Sequence, residues 1–156
     1  MIEVPVPHAD SLRIEHLVAD FNGTLALDGH LLPGVAQRLH ALAGRLTIHV
    51  VTADTFGLAA QALTGLPVRL TVLPPGPHAP AKQRYAQELD AARCAAIGNG
   101  ANDELLLAAA ALGIAVIQGE GAALKALLVA DVVAPDVASA LDLLLHPARL
   151  TATLRR

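Results

Sequence analysis

Short apolar runs alternate along the chain with longer segments rich in Ala and Leu. The short runs are continuous rather than alternating with polar residues, which is typical of parallel strands buried on both faces of a sheet. We predict strands at 14–19, 46–51, 68–72, 94–97, 114–117 and 129–133. The segments between them predict helices at 34–43, 55–63, 80–91, 102–112, 122–127 and 135–145. Alternating strands and helices favour an α/β three-layer sandwich with a mostly parallel, Rossmann-like sheet, formed by residues 1–156 as a single domain.

One segment departs from this alternation just after the first strand. The stretch from Leu25 to Leu32 is apolar with Asp28-Gly29 at its centre, which is a preferred pair for a tight type I′ turn. We therefore predict a small β-hairpin flap here. A plain connecting loop is the alternative.

Composition and charge narrow the class of protein. Hydrophobic residues make up 54% of the chain and charged residues only 16%, which excludes an intrinsically disordered chain. The net charge is −3 with no run of like charges, so we expect no nucleic-acid partner and no membrane-surface partner. The longest apolar run, 105–117, is shorter than the roughly 20 residues that span a bilayer. The first residues show no export signal, and a cytoplasmic location is the expectation.

Two predicted strands end in polar residues that suit phosphate chemistry. Asp20 ends the first strand, where a carboxylate is held rigidly yet faces a ligand, as a nucleophile or a metal ligand requires. Thr52 ends the second, and its hydroxyl with the amide of Ala53 can hold a phosphate oxygen. Taken alone, residues 20–24 are also an ordinary turn, and Thr52 or Asp54 is also a helix cap.

Two further segments carry candidate chemistry. Lys82 is one of only two lysines, and because Pro80 suits the first helical position, Lys82 is predicted in the first helical turn, where anions are favoured. The loop Gly-Asn-Gly-Ala-Asn-Asp at 98–103 predicts a backbone nest with Asn102 as the helix cap. A solvated lysine and half of a dinucleotide fingerprint are the alternatives, although the third glycine of that fingerprint is missing.

In combination, these four segments resemble the haloacid dehalogenase-like superfamily along nearly the whole chain, from Ile14 to about Val133. Residues 20–25 are similar to its first motif, Thr52 to its second, Lys82 to its third and residues 98–103 to its fourth. The fourth looks most like the motif of the P-type ATPase phosphorylation domain and of related soluble phosphatases.

The resemblance implies a phosphatase that acts through an aspartyl-phosphate intermediate. Asp20 would be the nucleophile, and Thr52, the amide of Ala53 and Lys82 would neutralise the phosphoryl oxygens. Mg²⁺ is the implied cofactor. The resemblance assigns it to Asp20, the backbone carbonyl of Asn22, the side chain of Asp103 and Asn99, and it makes Asn102 the group that orients Lys82 or Asp103.

Two asparagines depart from the family pattern. Asn22 stands where family phosphatases have an aspartate that protonates the leaving group, so general acid–base help worth roughly 10²–10⁴-fold should be missing. Asn99 stands where a direct metal carboxylate is usual, so Mg²⁺ binding should weaken. We therefore expect a slow phosphatase. The alternative is a catalytically weakened protein that serves as a phosphate-binding, regulatory or interaction subunit.

The lengths between motifs leave no room for a cap domain or for the nucleotide domain of an ion pump. Capless relatives act on large substrates or close the site with a neighbouring subunit. A phosphorylated substrate is the expected partner, and a homo-oligomer formed through the hairpin from Leu25 to Leu32 is the second expectation.

Overall fold

The computed structural model describes residues 1–155. Its strands are β1 (Ile2–Val4), β2 (Leu12–Ile14), β3 (His16–Ala19), β4 (Ala26–Leu27), β5 (His30–Leu31), β6 (Thr47–Thr52), β7 (Val68–Val72), β8 (Cys94–Gly98), β9 (Leu112–Val116) and β10 (Val132–Ala134). Its α-helices are α1 (Val35–Ala43), α2 (Ala59–Ala62), α3 (His78–Glu88), α4 (Glu104–Ala109), α5 (Leu124–Val129), α6 (Val137–Leu145) and α7 (Pro147–Leu154). Short 3₁₀-helices lie at Ala91–Arg93 and Ala101–Asp103.

Six strands form one parallel sheet in the order β10–β9–β8–β3–β6–β7. Helices α1 and α6 pack together, and α3, α4 and α5 form a second packed group. The two groups cover separate apolar clusters, so the predicted three-layer α/β sandwich is confirmed. Strand β3 lies at the centre of the sheet, and the residues after its carboxyl end are therefore flanked by those after β6 and β8.

The two clusters differ in the size of their side chains. The cluster that includes α1 and α6 contains Leu, Ile and Val together with Phe21, whereas the other contains mainly small residues such as Ala96 and Cys94. A chain so poor in aromatic residues builds its core from aliphatic side chains, each contributing about 1.5–3 kcal/mol when fully buried.

Several predicted element boundaries were wrong. Ile14 is not part of the central strand, because it pairs with Ile2 in a separate antiparallel ribbon of β1 and β2. Val129 ends helix α5, and the last strand of the sheet begins only at Val132. The helix predicted at 55–63 is limited to α2, and Leu112 belongs to β9 rather than to the preceding helix. Helix α7 was not predicted, because the short segment that begins at Pro147 looks like a continuation of the preceding helix.

The predicted hairpin is confirmed. Strands β4 and β5 are antiparallel, and Asp28 and Gly29 between them have φ angles of 52° and 79°, as a type I′ turn requires. Leu25 is fully buried, and Leu31 and Leu32 pack against the larger cluster. These leucines therefore already have partners within their own chain, and self-association through the hairpin stays a prediction for sedimentation to test.

Within residues 1–155, no inserted cap domain interrupts the sandwich. Over the same residues, no helix combines the length and the apolar character needed to cross a membrane.

Candidate active site

The buried polar side chains gather in one place. Six of them lie at or near the carboxyl edge of the sheet: Asp20, Thr24, Thr52, Lys82, Asn99 and Asp103. In the described part of the chain, only His49 is a polar side chain buried elsewhere. They follow β3 or β8, end β6, or come from α3, and the parallel topology brings those at the strand ends together. The sequence-predicted residues Asp20, Thr52, Lys82, Asn99 and Asp103 are therefore assembled by the fold.

Lys82 joins two carboxylates at the centre of this group. Its Nζ donates to Asp20 Oδ1 at 2.7 Å and to Asp103 Oδ1 at 2.6 Å, and the Lys82 side chain is fully buried. The prediction that Lys82 lies in the first helical turn was wrong, because α3 already begins at His78. Pro80 is tolerated within this first turn because the amides there have no helical partner.

The site holds more negative than positive charge. One lysine between two carboxylates leaves a net charge of −1. The pKa of Asp20 is raised to about 6, first because the group is buried and second because the Asp103 carboxylate repels its charge, while Lys82 acts in the opposite direction. Burial lowers the pKa of Lys82, but the two carboxylates more than offset this effect, so its pKa is raised and the ammonium stays charged.

Asp103 organises the loop that follows β8. Its Oδ2 accepts from the amides of Asn99 at 3.0 Å and Gly100 at 2.9 Å, while its Oδ1 faces Lys82. Gly98 is required here because a Cβ on it would lie 2.5 Å from Asp103 Cγ. The prediction that Asn102 caps the next helix was wrong, since Asn102 lies inside the 3₁₀-helix and Asp103 precedes α4. Over residues 1–155, the Asn102 side chain makes no hydrogen bond to Lys82 or Asp103.

The end of β6 presents a hydroxyl with a fixed orientation. Thr52 Oγ1 accepts from the amide of Asp54 at 2.9 Å, which leaves its hydroxyl hydrogen free to donate towards a ligand. Asp54 Oδ1 accepts from the amides of Leu58 and Ala59 at 3.0 Å, so it satisfies backbone donors at the start of α2 although Leu58 is the N-cap residue. Ala53 lies between Thr52 and Asp54 and is half-buried.

The Asn22 side chain is used by the hairpin. Its Oδ1 accepts from the amide of Gly29 at 2.9 Å, so the loop after β3 and the turn between β4 and β5 are joined. The adjacent Gly23 has a φ of 79° and lies against Asn99, and a Cβ there would be 2.7 Å from Asn99 Nδ2. Glycine is therefore needed at this position for both conformation and space.

Asn99 connects the same loop to a turn after β9. Thr24 Oγ1 donates to Asn99 Oδ1 at 3.1 Å, and Asn99 Nδ2 donates to the carbonyl of Gly121 at 3.2 Å. The turn is also held by Gln118, whose Nε2 donates to the carbonyl of Gly23 at 3.0 Å. Sequence analysis missed Gln118 and Glu120, because both lie in a loop without a recognisable motif.

The oxygen donors at this edge suit a hard divalent cation such as Mg²⁺. Two carboxylates with a surplus negative charge stand beside the amide of Asn99 and the backbone of residues 20–24. From Met1 to Arg155, no three His, Cys, Asp or Glu side chains form a metal cluster. A cation here would therefore depend on amide, carbonyl and water oxygens as well as on carboxylates.

His16, His49 and Cys94 lie apart from this site. His49 is buried between His16, with ring nitrogens 3.2 Å apart, and the hydroxyl of Tyr85 at 2.9 Å. The pKa of His49 is lowered to about 4, mainly by burial and also by the neighbouring His16 and Arg69. Cys94 is buried in β8, and burial raises the pKa of its thiol to about 11, so it is an unreactive core residue.

Comparison with known proteins gives one sequence relative and several structural ones. No family model matches the chain. An uncharacterized protein of Methanocaldococcus jannaschii is 60% identical over 60 residues, which are 38% of this chain and 64% of that protein. The chain thus spans less than two thirds of that relative.

Two solved structures illustrate the structural likeness. The 3-deoxy-D-manno-octulosonate 8-phosphate phosphatase of Moraxella catarrhalis, in complex with magnesium, phosphate and KDO, superimposes with a TM-score of 0.72 and 17% identity over 89% of this chain and 90% of that one. A zinc-transporting PIB-type ATPase has a TM-score of 0.63 and 26% identity over 78% of this chain but only 20% of that one. The chain has the haloacid dehalogenase-like fold, and its described residues, 1–155, include no cap domain.

Proposed function

We propose that the chain is a phosphatase that hydrolyses phosphate monoesters with the help of Mg²⁺ and through an aspartyl-phosphate at Asp20. The observation that carries this proposal is the buried arrangement of Asp20, Lys82 and Asp103, in which a carboxylate at a strand end is held beside a permanent positive charge. The structural likeness to a phosphatase bound to magnesium and phosphate supports it.

In the first half-reaction, an oxygen of Asp20 attacks the phosphorus of the substrate. The new bond joins Asp20 to phosphorus, and the bond from phosphorus to the ester oxygen breaks, so the alcohol leaves with the electron pair and takes a proton from water. In the second half-reaction, water attacks the phosphorus of the aspartyl-phosphate. This step releases inorganic phosphate and restores the Asp20 carboxylate.

Three groups of the chain balance the charge that develops on the phosphoryl oxygens. Lys82 is charged and already contacts Asp20, so it lies beside the bond that forms. The Thr52 hydroxyl and the Ala53 amide stand at the end of β6, which neighbours β3, and would donate to the same oxygens. Preorganised donors in a buried site stabilise such charge more strongly than water does.

Asp20, the carbonyl of Asn22, Asn99 and Asp103 are the residues we propose to hold Mg²⁺, which when bound supplies further positive charge to the phosphoryl oxygens. Asp103 already has one oxygen on Lys82 and the other on two loop amides. We therefore propose that it acts mainly by positioning Lys82 and the loop that carries Asn99.

A second candidate function rests on the two asparagines. The Asn22 side chain is engaged by Gly29, and Asn99 is engaged by Thr24 and Gly121. Neither amide can transfer a proton at neutral pH, and Asn22 stands where phosphatases of this fold carry an acid–base aspartate, while Asn99 stands where they carry a metal carboxylate. These substitutions favour slow turnover. If turnover is lost altogether, the chain would be a protein that binds phosphate for regulation or interaction.

Hydrolysis of p-nitrophenyl phosphate by the purified protein tests the proposal. We expect turnover that requires Mg²⁺, disappears in Asp20→Asn and is retained in Asp10→Asn, an exposed carboxylate near the N-terminus. Acetyl phosphate should label wild type but not Asp20→Asn, as seen by intact mass. If wild type and Asp20→Asn were equally inactive and neither were labelled, the phosphatase proposal would be rejected and the phosphate-binding protein would be the remaining candidate.

A further inference from the structure

The turn at 118–121, which joins β9 to the segment before α5, is fixed to the candidate site at several points. Gln118 Nε2 donates to the carbonyls of Gly23 and Thr24, and its Oε1 accepts from the amide of Val137 at 2.9 Å. Asn99 Nδ2 donates to the carbonyl of Gly121 at 3.2 Å. These bonds hold a surface turn against the loop that carries the nucleophile.

This turn places one carboxylate over that loop. Glu120 is exposed, and its Oε2 lies so close to Gly23 that a Cβ on Gly23 would overlap it. The Asn99 amide faces the same point, because the same Cβ would be 2.7 Å from its Nδ2 and 2.8 Å from its Oδ1. Glu120 and Asn99 therefore lie on the same side of Gly23. Phosphate would be repelled by Glu120 there, whereas a cation would be attracted.

The chemistry of Asn99 explains why a carboxylate is useful at this point. An aspartate at 99 would bring a negative charge but would face the carbonyl of Gly121 without a hydrogen to donate. The amide instead holds the turn in place, and the turn carries the charge. In this arrangement Asn99 offers the ligand oxygen and Glu120 the negative charge, whereas a single aspartate would supply both.

We propose that Glu120 is a carboxylate of the divalent-cation site, acting through a water molecule bound to the cation. Mg²⁺ keeps several water ligands in proteins, so an exposed carboxylate next to the direct ligands can accept hydrogen bonds from them. This inference rests on the proposed function, since it concerns the same cation. It adds a residue outside the four motif segments to that site.

Titration of metal-free protein with Mn²⁺, followed by the EPR signal of the free ion and by competition with Mg²⁺, tests the proposal without measuring activity. Glu120→Gln should weaken Mn²⁺ binding about 10-fold, the size typical of a carboxylate that contacts a metal through its ligands. Glu88→Gln, an exposed carboxylate at the end of α3, is the matched control and should bind like wild type. Asp20→Asn should lose the site.

A second comparison separates the proposed role from a general effect of surface charge. Asn99→Asp supplies the charge directly and removes the bond to Gly121, so Glu120→Gln should cost less than about 3-fold in the Asn99→Asp background. A loss of about 10-fold in both backgrounds would contradict the division of roles.

Equal Mn²⁺ affinities for Glu120→Gln and Glu88→Gln, with binding lost in Asp20→Asn, would overturn the inference and leave the phosphatase proposal intact. Conversely, if cation binding depends on Glu120 but the protein does not hydrolyse p-nitrophenyl phosphate, the inference about Glu120 would be supported and the phosphatase proposal contradicted.

Discussion

The role of Asn22 is decided by one hydrogen bond. Its Oδ1 accepts from the amide of Gly29, and an aspartate could accept the same bond with one oxygen while the other is free to exchange a proton. The residue that lowers the expected rate is therefore also a residue at which the rate can be raised without detaching the hairpin.

We expect Asn22→Asp to speed hydrolysis of p-nitrophenyl phosphate by about 10²-fold, the lower end of what general acid–base groups contribute. The measurement is kcat at saturating substrate and Mg²⁺. Asn22→Ala is the control, because it removes the bond to Gly29 and adds no acid, and it should not gain activity. A kcat for Asn22→Asp at or below that of wild type would contradict the assignment.

At this scale the sequence was informative where a residue stands at a strand end. Asp20, Thr52 and Asn99 could be placed together because parallel strands share one carboxyl edge. Glu120 and Gln118 could not be found from the sequence, because the position of their turn depends on contacts between distant segments. Gln118, for example, is hydrogen-bonded to Gly23, which lies 95 residues away in the sequence. The partners of Asn22 and Asn99 were equally out of reach, because an amide's partner is decided by tertiary packing.

Among the elements, the contact between β6 and α3 contains a second polar group that has no place in the proposed reaction. His49 on β6 contacts Tyr85 on α3 and His16 on β3. Val18 pairs with His49 in the parallel register, so His16 and His49 lie two residues apart on one face of adjacent strands.

This group makes stability depend on pH. The pKa of His49 is about 4 in the folded chain, below the usual 6.5, so the unfolded chain binds the proton more tightly. The contribution of neutral His49 to the free energy of unfolding is therefore fully present above pH 6.5 and is lost as the pH falls towards 4. Between pH 7.5 and pH 5 the loss should be about 2 kcal/mol.

Urea unfolding at the two pH values measures this loss. The experiment is best made in Asp20→Asn, because the raised pKa of Asp20, about 6, gives stability that is present at low pH and lost as the pH rises, and so opposes His49. Adding His49→Gln should flatten the pH dependence, whereas adding His40→Gln, at an exposed position of α1, should leave it unchanged. An unaltered slope in His49→Gln would refute the assignment.

The elements themselves were predictable to different degrees. The hairpin was found because Asp-Gly encodes a left-handed turn through local sterics. The ribbon of β1 and β2 was missed because each strand has three residues and the pair forms only when distant segments meet. Helix ends shifted by a few residues, as at Val129, where apolar residues suit helix and strand equally.

For the molecule as a whole, the surplus negative charge at the site predicts that ligands stabilise the fold. A cation that binds only the folded chain adds about 2.7 kcal/mol at 100 times its Kd, which for a chain of this size is about 5–10 °C in Tm. We expect Mg²⁺ with beryllium fluoride, which mimics a phosphoryl group on a carboxylate, to raise Tm by this amount over EDTA.

The matched variant for this measurement is Asp20→Asn, in which neither Mg²⁺ nor beryllium fluoride should shift Tm. Asp10→Asn should respond like wild type, since that carboxylate is exposed and lies near the N-terminus. A shift that survives in Asp20→Asn would place the ligand elsewhere on the molecule.

The bond between Gly29 and Asn22 gives the protein an internal reporter. Gly29 lies between two exposed residues, Asp28 and His30, yet it is itself buried, and its amide donates to Asn22 in the loop after the proposed nucleophile. Its amide hydrogen should exchange slowly with deuterated solvent, unlike those of most hairpin tips. Glycine amides form a separate group of NMR signals, so the Gly29 resonance can be followed while acetyl phosphate is added, and it would report a change at the proposed site without a substrate that absorbs light.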